Sequence, residues 1–165
     1  MSISIRPSRT SDVRAIREII DTFAAPGKML SKETVTLYES VQEFTVAEMD
    51  GIVVGCGALH ILWEDLAEVR SVAVKEGFQR QGIGHLILQE IIGRARTIGV
   101  ARIFCLTFQT KFFSEHGFKE ITGTPVTPDV YEQLLLSYDA GTAEFLDLES
   151  VKPITLGNTR MLLTL

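Results

Sequence analysis

The sequence is poor in the residues that carry most specialised chemistry. It has two cysteines, one tryptophan and three histidines among 165 residues. Cys56 and Cys105 lie far apart inside apolar stretches, which fits small buried hydrophobes rather than a redox pair or metal ligands. His60 and His85 have no Asp, Glu or Cys at metal-ligand spacing, so no metal site is expected, and His116 beside a Gly-Phe turn reads as a packing residue. No apolar run approaches the roughly 20 residues that cross a bilayer. The first residues, Met1-Ser2-Ile3-Ser4-Ile5-Arg6, lack the basic-then-apolar layout of a secretory signal, so a cytoplasmic protein with no membrane partner is expected. There is also no excess of positive charge. Sixteen Lys and Arg face 21 Asp and Glu, giving a net charge of −5 with the basic residues scattered, which argues against a nucleic-acid partner.

What is present is the composition of a globular chain, 45% hydrophobic and 22% charged, expected to fold as a single domain over 1–165. Ile3-Ser4-Ile5 alternates as a strand. Thr10 or Ser11 then caps a helix carrying Val13, Ile16, Ile20 and Phe23 at helical spacing, ended by Pro26-Gly27. Thr34 to Val41 reads as a second helix. Phe44 to Glu48, the turn Met49-Asp50-Gly51, and Ile52 to His60 read as a hairpin. Glu68 to Val74 reads as a strand, Gly84 to Ile98 as a helix, and Arg102 to Phe108 as a buried strand, an order that implies a parallel crossover. A short helix at Lys111 to His116, a strand from Lys119, a helix from Pro128 to Tyr138 and a final strand Arg160 to Leu165 complete the chain, with Ala140 to Asn158 less regular. The fold class is therefore a mixed α/β sheet, antiparallel first and parallel later.

Gln79-Arg80-Gln81-Gly82-Ile83-Gly84 stands immediately before the expected long helix. A helix leaves its first amides unpaired and its dipole is positive there, so glycines at this point let an anion approach the backbone. The loop lacks the Gly-Lys-Ser/Thr ending of a nucleotide triphosphatase and has two of the three glycines of the dinucleotide fingerprint. Neither of those classes is supported.

Three segments in order, Glu68-Val69-Arg70-Ser71-Val72-Ala73-Val74, then Gln79 to Gly84, then Phe113-Ser114-Glu115-His116-Gly117-Phe118, resemble successive signatures of the GNAT superfamily of N-acetyltransferases. The resemblance implies a mostly antiparallel sheet with a parallel central crossover, flanked by helices, and acetyl-CoA as co-substrate. It places the pyrophosphate on the amides of Gln79, Arg80, Gln81, Gly82, Ile83 and Gly84, and the pantetheine arm on backbone groups at Val72 and Val74. It also implies that this strand splays from its parallel neighbour to admit the thioester.

Acetyl transfer to an amine needs a base, an aligned thioester and a proton for the departing thiolate. Side chains two apart on a strand share a face, so Glu68, Arg70, Val72 and Val74 are expected to project together, opposite Val69, Ser71 and Ala73. An internal Glu68–Arg70 ion pair is one reading of that face. In the family a glutamate at this position commonly takes the amine proton, which makes Glu68 the candidate base. A tyrosine four residues before the Gly-Phe pair often protonates the thiolate in the family, but here that position is Phe113. Thr107, at the end of the preceding strand, is the nearest plausible hydroxyl, with water as the other possibility.

The resemblance narrows further. Leu37-Tyr38-Glu39, Val41-Gln42-Glu43-Phe44, Val54-Gly55-Cys56-Gly57-Ala58-Leu59-His60 and the tail Leu156-Gly157-Asn158-Thr159-Arg160-Met161-Leu162-Leu163 are similar to short-form N-acetylglutamate synthases, over nearly the whole chain. That implies transfer of acetyl to the α-amino group of L-glutamate, at the start of arginine biosynthesis. Arg70, Lys32, Asn158, Thr159 and Arg160 are the candidate substrate contacts, and association into homo-oligomers is common in the family. Another small amine or a protein N-terminus is the alternative acceptor.

Overall fold

The computed structural model describes residues 2–24, 33–147 and 158–165. Among these, seven strands form one sheet: β1 (Ile3–Pro7), β2 (Phe44–Met49), β3 (Ile52–Trp63), β4 (Leu66–Val74), β5 (Arg102–Thr107), β6 (Lys119–Glu120) and β7 (Thr159–Thr164). Their order is β1-β2-β3-β4-β5-β7-β6. Every neighbouring pair is antiparallel except β4 and β5, which are parallel and joined through the long helix α3 (Ile83–Ile98). The mixed sheet and its single crossover agree with the class expected from the sequence.

The sheet separates two groups of helices. On one face α3 packs Ile83, Ile87, Leu88 and Ile91 against Val54, Ala67, Val69 and Cys105, joined by Phe113 of α4 (Thr110–Ser114). On the other, α1 (Val13–Ala24) and α2 (Thr34–Glu39) bury Ile16, Ile20 and Leu37 against Phe44, Val46, Cys56 and Ala73. Beside them α5 (Pro128–Leu134) and α6 (Ala140–Phe145) enclose Leu62, Leu66 and Phe104. Both cysteines are fully buried, and burial pushes the Cys56 thiol up to about 12.

Several boundaries differ from the sequence reading for local reasons. Thr10–Asp12 form a 3-10 turn rather than a cap, because the Asp12 carboxylate reaches back to accept from the Arg9 amide at 2.7 Å. The stretch after Ala140, read as irregular, contains α6, whose N-cap Asp139 accepts from the Thr142 amide at 2.7 Å. The helix from Pro128 stops at Leu134, and α2 stops at Glu39. The Pro26-Gly27 stop and Lys32 lie outside the described residues.

The strand that carries the expected site departs most. Cys56 pairs with Ala73 and Ala58 with Arg70, so Gly57 alone faces both Ser71 and Val72. This extra residue is a β-bulge, with Ser71 at a φ of 56°. The alternation reverses across it. Glu68 and Arg70 share one face as expected, but Val72 and Val74 fall on the opposite face with Val69, packed against the α3 cluster, while Ala73 joins the α1 side. Strict period-2 counting is wrong at this point because it assumes an unbroken ladder.

Candidate active site

β4 and β5 stay paired for three residues only, Leu66 with Arg102, Ala67 with Ile103 and Glu68 with Phe104. Beyond Glu68 they separate. The edge of β4 that faced β5 thereby loses its partner, leaving backbone donors and acceptors that an extended ligand can pair with. Into this split opens a cavity of about 700 Å³, lined along one wall by Glu68 to Val74 and along the other by Leu106 to Gln109. Phe112 and Phe113 close its apolar side, and its far end is formed by Gln79, Arg80, Gly82, Ile83, Gly84 and His85. Gln81 is exposed in the loop, off the cavity wall.

The loop is built to present amides. Arg80 and Gly82 both adopt left-handed conformations, φ 64° and 81°, a pattern that turns successive N–H groups toward one side. The first amide of the turn to find a backbone carbonyl is Leu86, on Gly82 at 3.2 Å. Those of Ile83, Gly84 and His85 precede it at a helix start. α3 reaches this position because two glycines of β3 let it lie close on the sheet: a Cβ at Gly55 would sit 2.8 Å from Ile87, and one at Gly57 2.8 Å from Ile91. Gln79 also steadies the loop, donating from its side chain to the Val74 carbonyl at 3.2 Å.

Glu68 sits at the point where the strands part, 2% exposed. Its carboxylate accepts from Arg70 Nε at 2.7 Å. Burial raises its pKa above the ordinary value, and Arg70 offsets only part of that. The other side of the guanidinium meets Asp139, with Nη2 2.6 Å from Oδ2, an ion-pair distance without hydrogen-bond angles. Asp139 is itself held near 2 despite partial burial, because Arg70 faces it. His60, cross-strand from Glu68, donates from Nδ1 to Glu43 at 3.0 Å and turns Nε2 toward Asp139 at 3.9 Å. A chain of ionisable side chains therefore runs Glu68, Arg70, Asp139, His60, Glu43. Gly141 completes it: a Cβ there would lie 2.6 Å from Arg70 Nη2 and 2.7 Å from its Nε, so the guanidinium rests on bare backbone.

Thr107 lies across the split at the end of β5 and is buried. Its Oγ1 accepts from the Gln109 amide at 2.7 Å, which leaves the hydroxyl proton able to point elsewhere. Neighbouring β5 residues Ile103 and Cys105 belong to the α3 cluster, so Thr107 shares their face, opposite Glu68. The remaining expected contacts scatter. Asn158 lines the cavity with its Oδ1 buried and without a hydrogen-bond partner, and Thr159 pairs with Thr107 across the sheet. Arg160 turns into the protein instead: it donates to the carbonyls of Gly123 at 2.9 Å and of Phe145, and lies 4.8 Å over the Phe104 ring. Burial lowers its pKa.

Residues 13–118 match the acetyltransferase (GNAT) family. The chain belongs to that family. An amino-acid acetyltransferase of Mycobacterium tuberculosis is 56% identical over 165 residues, covering 98% of this chain and 94% of that relative. A crystal structure of a Mycobacterium tuberculosis protein in complex with CoA and NLQ has a TM-score of 0.95 at 55% identity, over 98% of this chain and 99% of the other. The N-acetylglutamate synthase of Neisseria gonorrhoeae, complexed with coenzyme A and N-acetyl-glutamate, shares the fold with a TM-score of 0.78 at 24% identity. This chain spans 35% of that longer protein. As a GNAT enzyme the protein uses acetyl-CoA, and the site fits it. The amide-lined loop suits a pyrophosphate, the open β4 edge an extended arm, and the split a thioester passing between strands. Among the described residues no cluster suited to a metal is present, and no helix is long and apolar enough to cross a membrane.

Two parts of this GNAT site escaped the sequence reading. Gly141 lies in the stretch read as less regular and Asp139 immediately before it, although an Asp ahead of Ala140 is an N-cap signal. The tie between His60 and Glu43 joins residues 17 apart in the chain, and no local pattern marks it.

Proposed function

We propose that the protein transfers the acetyl group of acetyl-CoA to the α-amino group of L-glutamate, giving N-acetyl-L-glutamate and CoA. One observation carries the mechanism: Glu68 and Thr107 stand on opposite faces of the same split in the sheet. Glu68, on the side of α1 and α6, takes the proton of the acceptor ammonium, and its raised pKa suits a base that must hold that proton. The loop from Gln79 to Gly84 fixes the donor through its pyrophosphate, and the backbone at Val72 and Val74 aligns its arm. Attack through the split forms the C–N bond; as the C–S bond breaks, the second proton that the nitrogen sheds passes through the Thr107 hydroxyl on the α3 side to sulfur, which leaves Thr107 neutral. The names of the relatives support an amino acid as acceptor, and the gonococcal complex supports glutamate.

On the acceptor side, the buried and unpaired Oδ1 of Asn158 would receive the ammonium, and Lys32 rests on family resemblance alone. Thr159 shares the face of Thr107 and Arg160 is engaged inside the protein, so neither is kept as an acceptor contact. A peptide N-terminus is the second reading, favoured by one fact: Arg70, which could grip a carboxylate, is already shared by Glu68 and Asp139. The test is release of CoA thiol from acetyl-CoA with L-glutamate, L-glutamine, L-aspartate or a short peptide as acceptor. The highest kcat/KM is expected with L-glutamate, and a preference for the peptide refutes the proposal. Glu68→Gln should lower kcat by about 10²-fold, as for loss of a general base.

A further inference from the structure

A base buried as deeply as Glu68 faces two opposed errors. Left alone it would hold its proton through the physiological range, and clamped to a single cation it would be too weak to take one. Arg70 by itself would impose the second error. The structure divides that cation. Arg70 Nε faces Glu68 at 2.7 Å while Nη2 faces Asp139 at 2.6 Å, so two carboxylates draw on one guanidinium. Asp139 is not free to drift, because as N-cap of α6 it accepts from the Thr142 amide and hydroxyl at 2.7 and 3.1 Å. Gly141, two residues on, supplies the flat backbone against which Arg70 lies.

We propose that Asp139 is a positioning residue for acetyl transfer, holding Arg70 between two carboxylates and so setting the proton affinity of Glu68. The inference rests on Glu68 acting as the base. Among the described residues, the other titratable groups around the pair are His60 on β3 with Glu43 behind it, Cys105 on β5, Arg160 on β7 and Glu144 on α6, which lines the same cavity. Asp139→Asn changes none of these residues and removes only the carboxylate charge, which His60 Nε2 also faces at 3.9 Å. Removing that charge takes a like charge away from Glu68 and gives Arg70 wholly to it, and both changes lower the affinity of Glu68 for a proton. Adding a Cβ at Gly141 does the reverse, because it overlaps Nε, the atom that donates to Glu68, and that 2.7 Å contact cannot be kept.

The experiment is a carbon-13 titration of the glutamate carboxyls in the full chain, with Glu68 identified by the signal missing in Glu68→Gln. Asp139→Asn should move the Glu68 midpoint down by about one pH unit, and Gly141→Ala should move it up by a similar amount. Asn caps a helix as well as Asp, so Asp139→Asn keeps α6. Either variant decides alone if the other fails to fold. A Glu68 midpoint that is unmoved, or that moves in the opposite direction, overturns the inference. The reading of Glu68 as base fails separately, if Glu68→Gln leaves CoA release from acetyl-CoA with L-glutamate at the parent rate.

Discussion

Replacing Arg70 by alanine should unmask the price of burying Glu68. The parent protein holds a guanidinium whose side chain is 8% exposed between two carboxylates. Without it, Glu68 has no cation at hydrogen-bonding distance among the described residues and escapes by taking a proton. The cost of that escape has a ceiling. At pH 7 it is the work of protonating a carboxyl two and a half units above its ordinary value of 4.5, about 3 kcal/mol. This agrees with the roughly 3–5 kcal/mol seen when one partner of a buried ion pair is removed. The sign follows from linkage. In the variant the folded pKa of Glu68 lies further above its unfolded value than in the parent, so the folded state binds the extra proton and the penalty grows as pH rises. It shrinks as pH falls and disappears once Glu68 is protonated in both proteins. Urea denaturation at pH 5, 6 and 7 measures this, and the double variant Arg70→Ala with Glu68→Gln should show no such slope. A penalty independent of pH, or one that persists undiminished in the double variant, refutes the reasoning.

Gly57→Val should lower stability by about 1–3 kcal/mol, because its side chain would press on Ile91 and Ile87 at contacts already below 3 Å for a bare Cβ. It should also weaken acetyl-CoA binding in calorimetry by lifting the start of α3. Thr107→Val should reduce kcat about tenfold while Thr107→Ser stays near the parent, measured as thiol release; equal rates for Val and Ser would remove Thr107 from the reaction.

The order of elements was legible because β2, β3, β5 and α3 carry strong periodic patterns, and the loop because its glycines precede a helix. Three motifs in order also fixed the family. What could not be read were features made by distant chain segments. Counting by twos put Val72 beside Glu68, since nothing in Glu68-Val69-Arg70-Ser71-Val72 announces that Gly57 will oppose two residues. Arg160 looked like a ligand-facing cation at the start of a strand, yet the carbonyls that engage it come from residues 123 and 145. Asp139 carries no pattern of its own that points to a site, and it is α6 that brings it to Arg70.

The bulge in β4 accounts for how one strand would serve both substrates of the proposed reaction. With unbroken alternation, Glu68 and Val72 would point the same way, and base and donor-aligning residues would crowd a single face. The extra residue at Ser71 turns the strand over, so that Glu68 and Arg70 address the α6 side while Val72 and Val74 address the α3 side. Ser71 adopts a left-handed conformation to do so, a strain of roughly 1 kcal/mol for a residue with a Cβ. The Cys56 thiol donates to its carbonyl at 3.4 Å, and the ladder to β3 resumes on both sides. The split from β5 begins one residue after Glu68, and the reversal follows within the same gap. In the proposed reaction an amine deprotonated by Glu68 and a thioester aligned along Val72 and Val74 would therefore approach the split from opposite faces of the sheet, which leaves a face of the carbonyl open to the nitrogen before sulfur departs.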